Sequence, residues 1–442
     1  MAFLEEIKMK ICVLTLGCKV NHYESEVIKD LFIKRGDLIA SIDESPDVVV
    51  INTCSVTNQS DSKSRKIIRQ AKRKNKESII VVCGCSSEHH KEELFDLGID
   101  ILIGNKDKTK IPDLVDNYLK DNNKYSKFYN LLESDFEDME INNFEGKTRA
   151  FVKIQDGCNN YCSYCIIPYV RGKLRNKDLD VAIKEIKSLV ERGFKEVVLT
   201  GIHTGSYGRG TDYNIVTLIK EISKLKDLLR IRISSIEITE IDDEFLNELK
   251  TNNKICDHLH IPLQSGCDKT LKDMFRKYNI EEYKEIINKI RKVRPDINIT
   301  TDVIVGFPTE TEENYKETIN TIKEINFSKI HVFPYSLRSK TAAAKMKNIV
   351  SDKEKKERVK TLIDLSLKLE HDYYKKFLNK EVEVLIENTN DNYSSGHTSN
   401  YINVKIEETL KPNTIYKDKI NYICKENVKI IKKPRKIEVN NI

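Results

Sequence analysis

The chain has 442 residues, 33% of them charged and 39% hydrophobic, with a formal net charge of +6. This length exceeds one ordinary domain and the apolar fraction supports folded cores, so about two or three domains are expected. No apolar run approaches a membrane span, and the opening MAFLEEIKMK lacks the plan of a signal peptide. The expected setting is therefore the cytoplasm, where eleven cysteines are more readily ligands or thiols than disulfides. The mild charge neither requires nor excludes nucleic acid.

In chain order, residues 11–16, 48–51, 79–82 and 99–104 read as buried strands separated by helical stretches. The alternation implies a parallel sheet with helices on both faces, and such sheets bind ligands beyond the carboxyl ends of their strands. Three of those ends carry cysteine: Cys18, Cys54, and either Cys83 or Cys85. One strand-end cysteine is usually a small core residue, but three at equivalent places imply a three-cysteine iron–sulfur site. Residues 61–76 hold eight basic residues against Asp61, with Ile67, Ile68 and Ala71 as a narrow apolar stripe. This is a helix with a basic outer face, either simply solvated or phosphate-binding; its place directly after Cys54 favours RNA. Residues 131–145 contain six acids and no base, which marks 131–146 as a linker between a first unit, 1–130, and a second, 147–372.

The alternating run Phe151-Val152-Lys153-Ile154 reads as a strand that breaks at Asp156-Gly157. The loop that follows carries Cys158, Cys162 and Cys165, spaced C-x3-C-x2-C. Three thiolates with no near fourth ligand suit a 4Fe–4S cluster with one iron left open. Zinc would want a second CxxC or a histidine pair close by, and the nearest histidine is His203. Further strands at 196–201, 230–236, 258–266, 299–306 and 329–335, each followed by a helical stretch, bring the count to six βα units. Six such units curl toward a partial barrel whose strand ends carry the chemistry. Thr200, Gly201, Ser235, Glu237, Gln264, Val305 and Gly306 stand at those ends; taken singly, each reads as strand-end capping. His258, His260 and His331 read as polar residues of the barrel mouth, and Asp268 and Arg276 as candidates to face a substrate.

Residues 337–380 carry 13 basic and six acidic residues. Lys353, Lys355, Lys356, Arg358 and Lys360 fall on a helix expected to turn Val359, Leu362, Ile363 and Leu369 inward, a plausible phosphate contact. Beyond 373, period-two alternation at 381–387 and 401–406, with turns between, indicates a small antiparallel barrel. Its Tyr393 and Tyr401 are either base-stacking residues or half-buried strand tyrosines.

The cysteine motif, with Tyr164 before its last cysteine, resembles the signature of radical S-adenosylmethionine (SAM) enzymes. Thr15-Leu16-Gly17-Cys18-Lys19-Val20-Asn21, Asn52-Thr53-Cys54-Ser55-Val56-Thr57 and Val82-Cys83-Gly84-Cys85 resemble the methylthiotransferase branch of that superfamily. Gly396-His397-Thr398-Ser399-Asn400-Tyr401 resembles the TRAM domain, an RNA-binding module. The resemblance covers nearly the whole chain. It implies an N-terminal parallel α/β domain, a central partial TIM barrel, (β/α)6, and a C-terminal TRAM barrel over 373–442.

The same resemblance implies two 4Fe–4S clusters and SAM as cofactors. Cys158, Cys162 and Cys165 would hold the cluster that cleaves SAM to a 5′-deoxyadenosyl radical. Cys18, Cys54 and Cys85 would hold an auxiliary cluster that binds the sulfur to be transferred. Cys85 is favoured because the family's third ligand follows a glycine, while Cys83 stands where a small polar residue is usual. Thr200 and Gly201 match the element that meets the methionine amine, and Ser235 and Glu237 match the ribose or carboxylate place. Gln264 and the Val305-Gly306 stretch, the latter near the adenine, match further SAM elements, and Tyr164 belongs to the cluster motif. No catalytic side chain beyond the cluster ligands is implied.

The wording of residues 17–25 and 53–58 is most similar to the methylthiotransferases acting on N6-threonylcarbamoyladenosine beside the tRNA anticodon. That reaction places a methylthio group on the adenine carbon between the two pyrimidine-ring nitrogens, one SAM giving the methyl and another the radical. The alternatives are the isopentenyladenosine tRNA enzyme, the ribosomal-protein enzyme, and a non-catalytic iron–sulfur RNA-binding protein. Expected partners are tRNA, an electron donor such as flavodoxin or ferredoxin, and a sulfur source, with no membrane and a monomeric state.

Overall fold

The computed structural model describes residues 8–141, 148–347, 350–424 and 427–430. The last part of the expected linker (142–146) and the end of the C-terminal unit (431–442) lie outside the described residues.

The first six strands are β1 (Lys10–Thr15), β2 (Leu38–Ile39), β3 (Val48–Thr53), β4 (Ile79–Gly84), β5 (Ile101–Ile103) and β6 (Tyr125–Lys127). They form one parallel sheet in the order β2-β1-β3-β4-β5-β6. β3 and β4 are buried along their whole length because helices cover both faces, which is why they read as unbroken apolar runs. Ile11, Val48, Val50 and Val81 pack against Ile28 and Phe32 of α1 (Lys19–Lys34). Val49, Ile51, Ile80 and Val82 pack against Ile68 and Ala71 of α2 (Asn58–Lys74). α3 (Cys85–His90) starts directly after β4, and α4 (Ile111–Asp121) covers the first face with Leu114 and Val115.

The central unit opens with β7 (Arg149–Lys153) and a two-residue ladder, β8 (Gln155–Asp156) with β9 (Arg175–Asn176). Between the ladder's strands lie the cysteine loop and the short helix α5 (Ile167–Arg171). Then come β10 (Glu196–Thr200), β11 (Arg230–Ile233), β12 (His258–His260), β13 (Asn298–Val305) and β14 (Lys329–Pro334). They form two parallel three-stranded sheets, β7-β10-β11 and β12-β13-β14, joined by one bridge between Ile231 and Ile255. This is the expected six-stranded partial barrel, open between β7 and β14. β12 is shorter than the alternation suggested: Gln264 takes a left-handed conformation (φ 65°), so only a single bridge to Val303 continues the pairing.

A 24-residue helix, Asp352–Lys375, lies along β14 and leads to the C-terminal unit. Its inward stripe is Arg358, Leu362, Ser366 and Glu370, four residues apart, so Ile363 turns out and is 44% exposed. Arg358 is buried against Glu310, 2.7 Å away, so it is not offered to phosphate as the sequence suggested. The last six strands run β15 (Glu381–Thr389), β16 (Ser394–Thr398), β17 (Asn403–Ile406), β18 (Ile415–Lys419), β19 (Tyr422–Ile423) and β20 (Val428–Ile430). They form one curled sheet, antiparallel except for β17 with β20, around Val384, Ile386, Val404, Ile406 and Val428. Tyr401 does not open a strand: it occupies a left-handed turn (φ 62°), and pairing begins at Asn403.

The acidic join is not loose where it is described. Met139 and Ile141 are buried in the central core, and the Met139 carbonyl accepts from Tyr23 Oη at 2.5 Å and Lys177 Nζ at 2.6 Å. Deeper in the same boundary, Glu24 of α1 is 1% exposed and meets Lys108, Lys153 (2.9 Å) and Arg171 (3.0 Å). Asp156 closes the group on Lys153 (2.7 Å) and Arg171 (3.0 Å). Burial alone would raise the Glu24 carboxyl pKa, but Arg171, Lys108 and Lys153 hold it well below the ordinary range. Among the described residues, no helix is long and apolar enough to cross a membrane.

Removing one partner of a buried charge group leaves the rest uncompensated. Glu24→Gln should therefore lower stability by about 3–5 kcal/mol, read as a fall in the thermal unfolding midpoint. Glu191→Gln, on the exposed end of helix Leu179–Glu191, should leave that midpoint almost unchanged.

Candidate functional site

The parallel register aligns the ends of β1, β3 and β4: Thr15 sits beside Asn52, and Thr53 beside Gly84. The next turns deliver Cys18, Cys54 and Cys85 to one edge. Two glycines make the approach possible. Gly17 is left-handed (φ 114°) and a Cβ there would lie 3.0 Å from Cys54 Cβ; at Gly84 (φ 100°) it would lie 2.5 Å from the Thr53 carbonyl oxygen. The three thiols lie within electrostatic reach of one another. Cys83 instead packs with Ile11, Val48, Val50 and Val81 in the sheet's apolar core.

Burial, the largest effect, pushes the Cys54 thiol up to about 11 and raises Cys18 as well. Cys18 lines a cavity, so its sulfur is reachable although protein surrounds it. Asn21 Oδ1 accepts from the Cys18 thiol at 3.2 Å and from Arg171 Nη2 at 3.1 Å, which sets the guanidinium beside the triad. Asn105 Nδ2 lies 3.5 Å from Cys85 Sγ and donates to the Val170 carbonyl at 2.7 Å.

The second triad lies on the loop after β8. The loop is pinned by Cys158 N–H on the Gly172 carbonyl (3.1 Å), Cys165 N–H on the Cys162 carbonyl (3.0 Å) and Ser163 N–H on the Met274 carbonyl (3.0 Å). Burial first, then Cys162, pushes the Cys165 thiol up to about 12. Two cations touch the sulfurs. Arg276 Nη1 lies 3.3 Å from Cys162 Sγ while its other arm grips Glu237. His203 Nδ1 lies 3.8 Å from Cys158 Sγ, with Nε2 2.9 Å from Glu240. Burial opposes charge on His203, but Cys158 and Glu240 outweigh it and raise its pKa to about 10.

Burial thus disfavours a bare thiolate at Cys18, Cys54, Cys162 and Cys165, and cations stand beside both sets, an environment that fits a bound anionic metal–sulfur group. Among the described residues, no three His, Cys, Asp or Glu side chains stand in the geometry of a single-ion site. The triads are neighbours: Cys85 packs against Ile166 and Val170, just beyond Cys165.

A cavity of about 750 Å³ runs from Cys18 into the barrel lumen. Thr200, Gly201 and Ser235 line it, as expected of strand-end residues. The remaining predicted contacts lie elsewhere. Glu237 is held by Arg276 beside Cys162. Tyr164 packs with Met274, Phe307 and Tyr335, next to Gly306, whose N–H donates to Glu310 at 2.9 Å. Val305 is buried, and Gln264 is fixed by backbone bonds to Asp302 and Ile304. Arg276 faces sulfur rather than the cavity, and Asp268 instead accepts from Ile280 N–H at 2.7 Å.

His258, His260 and His331 line the lumen rather than its mouth; the first two share Thr300 Oγ1 at 3.1 and 2.9 Å. The Tyr401 ring is stacked between His258 (4.9 Å) and His397 (4.7 Å), with Arg232 4.7 Å from its centroid, so neither face is free for a base. Lys405 Nζ sits 3.6 Å over the Tyr393 ring. Sequence reasoning missed His203, Arg171 and Asn105, whose roles come from contacts across long stretches of chain. Asn21, three residues after Cys18 on the first turn of α1, had a local signal.

Residues 152–322 match the model of the radical SAM superfamily, and residues 10–104 match that of an uncharacterized protein family, UPF0004. The threonylcarbamoyladenosine tRNA methylthiotransferase MtaB of Bacillus subtilis is 43% identical over 95% of this chain and 93% of its own. The protein of the same name from Aquifex aeolicus is 40% identical over 90% of this chain and 97% of its own. Among solved structures, the radical S-adenosylmethionine methyltransferase TsrM from Kitasatospora setae superposes with a TM-score of 0.56 at 13% identity, covering 76% of this chain and 77% of that one. That likeness is one of fold.

After anaerobic reconstitution, Cys85→Ser should bind about half the iron of the parent chain, as loss of one of two clusters requires. Cys83→Ser should keep all of it; the opposite pattern would move the third ligand to Cys83.

Proposed function

The chain belongs to the radical SAM methylthiotransferases, and on that footing we propose which of its residues do what. It is a tRNA methylthiotransferase for N6-threonylcarbamoyladenosine, and its cofactors are SAM and 4Fe–4S clusters. The observation that carries the finer reading is the juxtaposition of the two triads across one boundary, Cys85 against the residues that follow Cys165.

Bound there, the clusters and SAM supply an adenosyl radical and a methylated sulfur, the chemistry an unactivated aromatic C–H bond requires. The chain's own residues hold and orient. Cys158, Cys162 and Cys165 ligate the radical-generating cluster, and Arg276 and His203 place positive charge on their sulfurs, which makes reduction easier. Cys18, Cys54 and Cys85 ligate the auxiliary cluster, with Asn21, Asn105 and Arg171 as its outer support. Thr200, Gly201 and Ser235 meet SAM from the cavity wall, and Glu237 does so beside Cys162. Val305 and Gly306 border its adenine, Gln264 supplies a further SAM contact, and Tyr164 completes the cluster motif.

The units act as a methylthiotransferase domain (1–130), an acidic linker (131–146), a radical SAM domain (147–372) and a TRAM domain (373–442). A flavodoxin- or ferredoxin-like donor, a separate sulfur source, a monomeric state and a cytoplasmic location complete the reading.

The substrate's backbone meets α2. Lys63, Lys66, Arg69 and Arg73 are exposed on its outer face, and among the described residues none is paired with a carboxylate. The helix is tied to the barrel by Asp61 on Arg338 (2.5 Å) and Asn58 N–H on Ser336 Oγ (2.9 Å). Its positive face is thereby fixed next to the site, where it can steer phosphate.

Nucleoside mass spectrometry of tRNA from a deletion strain tests the reaction. The 2-methylthio derivative should vanish, its threonylcarbamoyl precursor should accumulate, and the gene in trans should restore both; an unchanged profile overturns the assignment. For the α2 contact, Lys66→Glu with Arg69→Glu should weaken tRNA binding and reduce the slope of log affinity against log salt by about 2.

A further inference from the structure

The cavity that holds Cys18 is lined by charges that are already matched, with one exception. Asp302 faces His260 at 3.2 Å, and Lys329 pairs with Glu370 at 2.8 Å. The arginines behind the Tyr401 ring are matched too: Arg149 by Glu387 at 3.1 Å and Arg232 by Glu196 at 2.7 Å. Lys19 lines the same cavity, and among the described residues its ammonium has neither an ion pair nor a hydrogen bond. The Arg149 and Arg232 guanidiniums lie over the Tyr401 ring, which lines the same cavity, so this end of it is rich in positive charge. An unmatched ammonium in a confined polar cavity is a site for an anion.

The substrate read above has one in the right place. The threonylcarbamoyl group ends in a carboxylate and is attached at N6 of adenine. N6 sits beside N1, and N1 is bonded to the carbon that receives sulfur, so the substituent and the reacting carbon share one edge of the base. Lys19 and Cys18 are likewise consecutive in the chain and open into the same cavity.

We propose that Lys19 binds the carboxylate of the threonylcarbamoyl group and so makes this cavity prefer the charged nucleoside over adenosines whose N6 is bare or carries a neutral group. This rests on the substrate assignment above. It gives Lys19 a role in specificity and none in the radical step.

The test uses reconstituted enzyme and two anticodon stem-loops, one with N6-threonylcarbamoyladenosine and one with plain adenosine at the same position. The unsubstituted chain should bind the first more tightly by on the order of tenfold or more, the range for a charge-assisted hydrogen bond in a confined site. Lys19→Gln should bind the two alike, at the strength the parent shows for plain adenosine. Lys19→Arg should keep most of the preference. Iron per chain and thermal midpoint should match the parent in both variants; if the glutamine variant misfolds, Lys19→Met against Lys19→Arg gives the same comparison.

A preference undiminished in Lys19→Gln overturns the proposal, as does equal weakening of both stem-loops, which would make Lys19 a general phosphate contact. A parent chain without the preference overturns it as well. Failure of the parent to methylthiolate the threonylcarbamoyl stem-loop, by contrast, would overturn the substrate assignment itself.

Discussion

Five buried charges hold the boundary on which both cysteine triads stand: Glu24 and Lys108 from the first unit, Lys153, Asp156 and Arg171 from the second. Such a group is a poor source of stability. Each ion loses hydration worth several kcal/mol, and apolar residues of similar volume often do as well or better. What apolar residues cannot supply is direction. Arg171 meets Glu24, Asp156 and Asn21 at once, so α1, the ladder after β7 and the Cys18 turn share one geometry. Arg175 adds a fourth cation 3.8 Å from Asp156, so the group is also unbalanced, with four cations to two anions. The surplus lies with Arg171, whose charge is felt by Cys18 and Cys85. Negative charge on those thiols would balance it.

The second triad obeys the same rule with different parts. Arg276 and His203 each turn one side toward a sulfur and the other toward a carboxylate, Glu237 and Glu240. The carboxylates keep the cations charged and aimed, as outer partners of metal ligands generally do. Both triads thus have a cation beside their sulfurs, a setting that fits a bound, charge-delocalised anionic group.

What the sequence made legible follows from which forces are local. The strands of the first sheet are buried on both faces and so show as apolar runs. The cysteines fall just past strand ends, where topology alone predicts a site. Sequence left Cys83 and Cys85 open because it does not say which way β4 points a side chain; packing with Ile11 and Val48 places Cys83 in the apolar core. In the long helix Asp352–Lys375, Val359, Leu362 and Leu369 face the core as read, but Ile363 turns out and a buried arginine, Arg358, joins the stripe, where a hydrophobicity pattern reads arginine as surface. Arg171 and His203 escaped because each meets partners scattered along the chain, Glu24 147 residues before Arg171 and Cys158 45 before His203.

Tyr401 shows the limit most sharply, and also why the C-terminal unit belongs to the site. An open half-barrel leaves polar residues at the amino-terminal ends of its strands without neighbours. Here the turn between β16 and β17 supplies them. The carbonyls of His397, Ser399 and Asn400 accept from Arg230 (2.9 Å), Arg232 (3.1 Å) and Asn298 (2.7 Å). The Tyr401 ring fills the space above, between two imidazoles and against two arginines. A left-handed backbone at a tyrosine is unfavourable, and it persists because these contacts over-determine it. The ring that sequence left as either a stacking surface for RNA or a half-buried strand tyrosine is half-buried, not in a strand but as a wall of the lumen, shared with Lys19 and Cys18. A unit whose turn forms that wall cannot move without reshaping the cavity.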